Sequence, residues 1–576
     1  MSEGRPGYRW VEPPPVSGGD TALLEEALGL PSELCAILIR RGYTDVDRAR
    51  RFLRPVPTDL HPPESLPDFE HALQRIERAI RTAEGILVHG DYDADGMTSA
   101  ALLGRALGEL GARVHTFVPH RVRDGYDLGP GGIRRAREVG AGLIITSDCG
   151  VAAVEAVEEA REAGLDVVVT DHHRPGPVLP DAVAVVDPSR EDSAYPFEGL
   201  AGVGVAFKLV SALFRRAGFG AERWNQHLDL VAIGTVADRA PLVGENRVLV
   251  RAGLKVLERT RKAGLRALLD EAKLGQAERL TAAHIGYRLG PRLNSAGRIG
   301  AASDGLKLLL EDQPAAARHM ARQLSLQNSE RRSADQRVLA DAEARLAETY
   351  EPDRDRVVVL WGDGWHPGVL GITASRIAER LHRPTILVSF DGDMGRGSGR
   401  SVEGFNLFEA LQGCASTLER WGGHRMAAGL DIRRSRLEEF VSRFHRYAEA
   451  ALPPEGLAPE LAIDQTVSLA ALTPEFCRQL DHFRPYGAEN PEPRLKLEAI
   501  EIRTPARVGA DRAHLRCVLA DRLGERLDAI GFGLGDREAE LGEGRRWDAV
   551  FEIGREMWRG RTRQQARLLD FRPANT

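Results

Sequence analysis

The chain has 576 residues, 43% hydrophobic and 28% charged, with a formal net charge of −6. That length fits about three or four domains. The composition excludes a disordered chain, and no run approaches the roughly 18 consecutive apolar residues of a membrane-spanning helix. Five scattered cysteines, Cys35, Cys149, Cys414, Cys477 and Cys517, form no C-x-x-C pair, which argues against a zinc ribbon and a disulfide framework. The negative charge argues against nucleic-acid binding only weakly, because a local basic stripe hides easily in an overall count. The basic residues are mostly Arg, which suits phosphate forks and follows equally from a GC-rich genome. The opening stretch, MSEGRPGYRWVEPPPVSGGD, lacks the basic cluster and apolar core of a signal peptide, so a cytoplasmic protein is expected.

Residues 1–70 are Pro-rich with short helical segments and read as an N-terminal cap. From about residue 80 the pattern alternates between Val/Ile/Leu runs and amphipathic helices. EGILVHGDYD, ARVHTFVPH, GLIITSDCG, DVVVTDHH and AVAVVDP read as strands of a parallel sheet in an α/β domain spanning 71–311. Gln313 to Tyr350 contains no Gly and only Pro314, so residues 312–352 read as one long connecting helix with Asp312 as candidate N-cap. A second, smaller α/β domain covers 353–452, with the strands RVVVLWG and RPTILVSF around a helix. Pro453, Pro454, Gly456 and Pro459 mark a linker. From 456 to 576 the apolar period is two, as in an OB-like antiparallel barrel.

The strand ends carry the chemistry. HGDYDADG, His89 to Gly96, sets three carboxylates and an imidazole at the mouth of a buried strand, where they repel one another unless a cation sits among them. Asp148 and Asp171-His172-His173 end two further strands, and Asp238 lies in GTVADRAPL. His89, Asp93, Asp95, Asp148, His172 and Asp238 are hard ligands without a thiolate, suited to Mn²⁺, Mg²⁺ or Zn²⁺. Six are too many for one octahedral ion with an open position; they suit two ions about 3.5–4 Å apart. Each piece alone also reads as a cap, turn or surface pair.

HGDYDADG, IITSDCG, VVTDHH and IGTVADRAPL resemble the four ordered motifs of the DHH phosphoesterase family. PRLNSAGR, the long helix and the GGH element resemble its single-strand-specific exonuclease branch, and the similarity extends from about residue 70 onward. The resemblance implies a parallel-sheet DHH domain, a DHHA1-like second domain and a C-terminal OB-like domain that binds single strands. It implies that His89 and Asp93 hold one divalent metal, that Asp95, His172 and Asp238 hold another, and that Asp148 bridges them. His173 would contact the scissile phosphate or protonate the leaving oxygen, and Asp91 and Asp171 would orient the ligands.

The implied activity is 5′-to-3′ exonuclease hydrolysis of single-stranded DNA by metal-activated water, Mn²⁺ preferred and Mg²⁺ usable, in DNA repair and recombination. The implied partners are a single-strand-binding protein and a helicase, and a monomer is expected. Two alternatives stand beside it: a DHH phosphodiesterase of short RNA or cyclic dinucleotides (or a pyrophosphatase), and a non-catalytic replication scaffold. Substrate contacts are expected from Arg292, Asn294 and Arg298 in PRLNSAGR, from Ser398 and Arg400 among glycines whose N–H groups approach a phosphate, and from Gly422, Gly423 and His424. Arg318, Arg322, Arg331 and Arg332 on the long helix face either a groove or solvent. In the β domain, Trp547, Phe551 and Trp558 with Arg555, Arg559, Arg561 and Arg563 suit single-strand stacking, although some of these rings are expected in the core.

Overall fold

The computed structural model describes residues 7–121, 123–352, 354–453, 457–542, 544–558 and 561–574, with 555–558 and 561–562 described by their backbone alone. It divides into two compact units. One comprises Asp45–Glu330 and Asp481–Glu492; the other comprises Met1–Thr44, Arg331–Leu480 and Pro493–Thr576. This division cuts the 1–70 segment at Thr44 and the long helix at Glu330, and it assigns a short late segment to the first unit.

The first unit is built on β1 (Gly85–Gly90), β2 (Arg113–Phe117), β3 (Ala141–Ser147), β4 (Asp166–Thr170) and β5 (Ala184–Val186), all parallel, in the order β2-β1-β3-β4-β5. Ile86, Val88, Leu143, Ile145 and Val168 enter one apolar cluster. Leu87, Ile144, Val167 and Val169 enter another. This alternation follows from the two-residue period of a strand, and apolar side chains on both faces explain the unbroken Val/Ile/Leu runs. The chain leaves β1 in one direction to β2 and in the other to β3, so a crevice opens beyond the carboxyl ends of β1 and β3, where open α/β sheets bind ligands. Around it lie α1 (Ala94–Glu109), α2 (Gly202–Arg216), α3 (Leu228–Ala237) and α4 (Gly290–Ile299).

The segment Asp481–Glu492 is fastened to this unit by Arg247, whose side chain is buried. Its guanidinium donates to the carbonyls of Phe52 (2.7 Å), Phe483 (2.8 Å), His482 (2.7 Å) and Arg484 (2.9 Å), and stacks 3.9 Å from the centre of the Phe52 ring.

The long helix, α5, runs Pro314–Thr349, about 54 Å at the standard rise. Asp312 is not its cap. The Gln313 carbonyl accepts the N–H of Ala317, and Asp312 pairs with Arg105 at 2.9 Å. Arg318, Arg322 and Arg332 are exposed, but Arg331 is buried, so the four do not form one basic face.

In the second unit, β6 (Val358–Asp363), β7 (Thr385–Asp391), β8 (Met394–Arg400), β9 (Arg420–Gly423) and β10 (Ala427–Arg433) form a sheet ordered β9-β10-β8-β7-β6, with α6 (Pro367–Leu381) crossing between parallel β6 and β7. A closed barrel follows. Its strands β11 (Leu495–Val508), β12 (His514–Ala520), β13 (Arg526–Gly531), β14 (Trp547–Trp558) and β15 (Arg561–Pro573) pair in the order β11-β12-β13-β15-β14 and return to β11, so no long edge is left open. Trp547 and Phe551 are 1% and 0% exposed and belong to the barrel core, where Trp547 meets Phe571 edge-on at 5.3 Å. They cannot stack a base. Arg563 is exposed; Arg559 and the side chains of Arg555, Trp558 and Arg561 lie outside the described residues.

Candidate metal centre

Four strand or helix ends converge beyond β1 and β3. Asp93 caps α1: its Oδ1 accepts the N–H groups of Asp95 (2.8 Å) and Gly96 (3.1 Å). The D-x-D spacing thus puts one carboxylate at the cap and the next in the first turn, where the helix dipole favours negative charge. Asp148 follows β3 with a φ of 64°, a left-handed conformation that Asp tolerates better than most side chains. Asp95 accepts the N–H groups of Gly202 (2.7 Å) and Val203 (3.0 Å) at the start of α2. Position 202 requires glycine, since a Cβ there would lie 2.6 Å from Asp148 Cβ. Asp171, after β4, accepts from His172 N (2.8 Å), His173 N (3.2 Å) and Val151 N (3.0 Å). Asp238 stands at the C-terminal end of α3.

These side chains make overlapping ligand sets whose candidate atoms lie within 4.8 Å of one another: Asp91, Asp93 and Asp148; Asp95, His172 and Asp238; and Asp148, Asp171, His172 and His173. His172 Nε2 is 3.0 Å from Asp148 Oδ1 and 3.9 Å from both Asp95 Oδ2 and Asp238 Oδ2. Burial, then repulsion from Asp238 and Asp93, raises the Asp95 carboxyl well above its ordinary range. Burial, then Asp95 and Asp93, does the same to Asp148. Asp91 is raised by burial and by Asp93, and its buried Oδ1 accepts no hydrogen bond. Crowded, desolvated carboxylates with an orphaned oxygen fit divalent cations, whose charge would reverse those shifts.

His173 differs. Burial alone would lower it, but its Nδ1 lies 2.8 Å from Asp171 Oδ1, and that carboxylate raises it to about 9. Burial would raise Asp171, yet His173 holds it below the ordinary range. The Asp171 carboxylate therefore favours the protonated imidazole and occupies its Nδ1.

Six of the seven residues named from the sequence for the metals and the proton come together: Asp93, Asp95, Asp148, His172, His173 and Asp238. His89 does not join the ligand sets. It is buried, with Nδ1 3.7 Å from Cys149 Sγ and Nε2 buried without a hydrogen bond, and burial lowers it to about 4. Asp91, expected from the resemblance to orient ligands, stands in a candidate ligand set instead. The signal that separates them is strand geometry. His89 is within β1, and Asp91 is beyond its end.

Asp187, which the sequence reading does not single out, follows β5 as Asp148 follows β3. Burial raises it to about 7, and its Oδ1 accepts the Ser189 N–H at 2.7 Å in the turn whose Ser189 hydroxyl donates to the His172 carbonyl.

PRLNSAGR forms α4 and buttresses the centre. Asn294 Oδ1 accepts the N–H of Ala94 at 2.7 Å. Arg292 spends its donors on Ser325 Oγ (3.2 Å), the Arg288 carbonyl (2.5 Å) and the Glu271 carbonyl (3.3 Å), so it is not a phosphate fork. Arg298 is half-buried near the end of α4. Asn294→Ala is expected to lower kcat about tenfold with little change in KM, because it loosens the Asp93 loop by one hydrogen bond; a large rise in KM with kcat intact would return Asn294 to phosphate binding.

In the second unit, the Gly-rich stretch is strand β8, paired on both sides, so its N–H groups are committed to the sheet and do not cradle a phosphate. Ser398 and Arg400 project to one face, with Arg400 Nη1 3.2 Å from Ser398 Oγ. Gly423 (φ 143°) and His424 form the turn between β9 and β10, where His424 N–H donates to the Ala427 carbonyl at 2.8 Å.

Three family models match the chain: the DHH family N-terminal domain over residues 85–235, the DHHA1 domain over 354–450 and the RecJ OB domain over 463–570. A single-stranded-DNA-specific exonuclease RecJ from Bacillus subtilis is 36% identical over 551 residues, covering 95% of this chain and 69% of the relative. The protein of that name from Escherichia coli is 38% identical over 493 residues, 82% of this chain and 84% of the relative. The crystal structure of RecJ from Thermus thermophilus in complex with Mn²⁺ superposes with a TM-score of 0.84 at 31% identity, covering 99% of this chain and 80% of that one. The three modules occur in this order along nearly the whole length, and the chain belongs to the RecJ family of single-stranded-DNA-specific exonucleases.

Proposed function

We propose that this chain is a metal-dependent 5′-to-3′ exonuclease that hydrolyses single-stranded DNA to nucleotides. The observation that carries the reading is the three overlapping, largely buried ligand sets at the sheet's switch point, with the Asp171–His173 pair within one of them. Bound Mn²⁺ or Mg²⁺ would supply a lowered pKa for water and an electrophilic clamp on the phosphate. Asp91, Asp93 and Asp148 would hold one ion and Asp95, His172 and Asp238 the other, with Asp148 adjoining both. The N–H groups of Gly202 and Val203 fix Asp95, and the cap bonds fix Asp93. Asp171 keeps Nδ1 of His173 occupied, so Nε2 donates its proton to the leaving oxygen. The T. thermophilus relatives solved with Mn²⁺ and with Mg²⁺ support this choice of metal.

We assign Ser398, Arg400, Gly423 and His424 to the terminal phosphates, the domain division to that read from the sequence, and the work to cytoplasmic DNA repair and recombination, as a monomer beside a single-strand-binding protein and a helicase. A short-RNA or cyclic-dinucleotide phosphodiesterase is less favoured because the chain resembles RecJ over almost its full length, barrel included. A scaffold would not keep crowded buried carboxylates. The test is a long 5′-labelled single strand. Mononucleotides should appear with Mn²⁺ or Mg²⁺, cease in excess chelator and resume on repletion; chelator-insensitive release, or internal cuts alone, would refute the reading. Arg400→Ala should raise KM about tenfold on 5′-phosphorylated ends and less on unphosphorylated ones, with kcat nearly kept.

A further inference from the structure

The first unit carries a cationic cluster that the metal chemistry leaves unused. Four segments meet there: the end of the helix at Val46–Leu53, the helix at Gly244–Leu257, the connection running into Leu280, and the late segment Asp481–Glu492. Arg251 is one helical turn past Arg247. Its Nη1 donates to the carbonyls of Leu53 (2.5 Å) and His482 (3.4 Å), and Arg54 follows Leu53 in the chain. Arg279 precedes Leu280, whose N–H donates to Glu258 Oε1 at 2.8 Å, just past the end of the same helix. Burial, then the charges of Arg279 and Arg54, lowers the Arg251 guanidinium; burial, then Arg251 and Arg54, lowers the His482 imidazole. The carboxylates at hand are committed elsewhere, Glu258 to the Leu280 N–H and Asp481 to Arg484 at 3.2 Å. Arg54 and Arg279 are exposed, and no hydrogen bond or ion pair engages their side chains among the described residues. The fold thus pins one guanidinium between carbonyls and sets two more beside it without a counterion, an arrangement that favours a bound anion.

We propose that Arg54, Arg251 and Arg279 form a phosphate cradle separate from the metal centre, and that it holds backbone phosphates of the strand being digested. The inference rests on the exonuclease reading and deepens it. The guanidinium fork matches a phosphodiester, which is anionic throughout the working pH range. The helix that presents Arg251 begins six residues after the candidate ligand Asp238, and Arg251 lies about 10 Å further along it, so the cradle and the reaction centre share one unit. A second anchor has a use in exonuclease action. After each cut the terminal contacts must let go, and a phosphate held elsewhere keeps the new end at high effective concentration beside the metals.

The test is binding by the full chain in chelator, with a 5′-phosphorylated single strand of about 16 nucleotides as probe. Arg54→Gln combined with Arg279→Gln should raise Kd about tenfold near 0.1 M salt. It should also make the salt dependence shallower by about 1.4 in log–log slope, about 0.7 for each of two phosphates. Changing both residues to Lys should restore the slope and part of the affinity, because the charge returns without the fork. A neutral methylphosphonate moved along the strand should weaken wild-type binding at one or two internal linkages, and there the Gln pair should add no further loss. An unchanged Kd and slope in the Gln pair, or losses that multiply at every linkage, would overturn the cradle. Tripolyphosphate tests the other source of the same chemistry. If it raises the wild-type Tm, loses that effect in the Gln pair, and strand binding is equal in the two proteins, the site serves a free anion and the strand assignment falls. Should the Gln pair melt well below the wild type, Arg54→Gln alone takes its place, with an expected slope change of about 0.7. A wild type that digests single strands with Mn²⁺ but shows no such coupling removes the cradle alone. One that digests no single strand removes the exonuclease reading with it.

Discussion

Asp148→Asn is expected to abolish nuclease activity while making the metal-free protein harder to melt. The substitution keeps the shape, and Asn accepts the left-handed backbone at this position as readily as Asp. It removes a buried charge pressed against Asp95 and Asp93. Relief of that repulsion should raise the metal-free Tm by about 2–4 °C for each kcal/mol recovered. Asp148 belongs to two of the ligand sets, so its loss should cost about 10³-fold or more in kcat. Mn²⁺ at about 100 times its Kd should stabilise the wild type by about 2.7 kcal/mol and the variant far less. The decisive comparison is melting with and without Mn²⁺ beside nucleotide release. Wild-type release by the variant, or an equal Mn²⁺ shift in both proteins, would remove Asp148 from the centre.

Arg247→Ala should be the most destabilising single change outside the metal centre. It deletes a buried guanidinium and leaves the carbonyls of Phe52, His482, Phe483 and Arg484 without the donor that joins them. A buried carbonyl left without a donor costs about 1–3 kcal/mol; the Phe483 carbonyl keeps Asn490 Nδ2 and the His482 carbonyl keeps Arg251 Nη1, so a loss of about 3–5 kcal/mol is expected. Denaturant melts should show a lower midpoint. A midpoint within experimental error of wild type would mean that the 481–492 segment is held by other contacts. The same geometry constrains truncation. Ending the chain near Pro454 removes the barrel and also every late-segment acceptor of Arg247, so a weakened nuclease from that truncation would report a damaged first unit as much as a lost single-strand grip.

The parallel sheet was legible because its strands are buried on both faces, which leaves runs such as ILV at Ile86–Val88 with no polar alternation to confuse them. The convergence of Asp93, Asp95, Asp148, His172 and Asp238 was legible for a related reason, since residues just past the ends of parallel strands share one edge. What failed depended on where a strand or helix stops to the residue. His89 and Asp91 are two positions apart, and only the end of β1 tells the histidine facing the packed interior from the carboxylate facing the crevice. Trp547 and Phe551 carried an aromatic-basic signature, but barrel closure turned them inward, and closure is a long-range pairing with no local mark. Arg292 and Asn294 carried phosphate-binding chemistry that the fold applies to its own carbonyls and N–H groups.

The placement of residues 481–492 within the first unit also bears on how the chain is made. A ribosome delivers Arg247 long before it delivers Phe483 and Arg484, and at about 5–20 residues per second the interval is on the order of 10–50 s. Throughout that interval the buried guanidinium of the unit bearing the metal ligands has Phe52 but lacks its late acceptors, while the second sheet is still being synthesised. Prematurely terminated products therefore lack the late segment that Arg247 holds within the first unit.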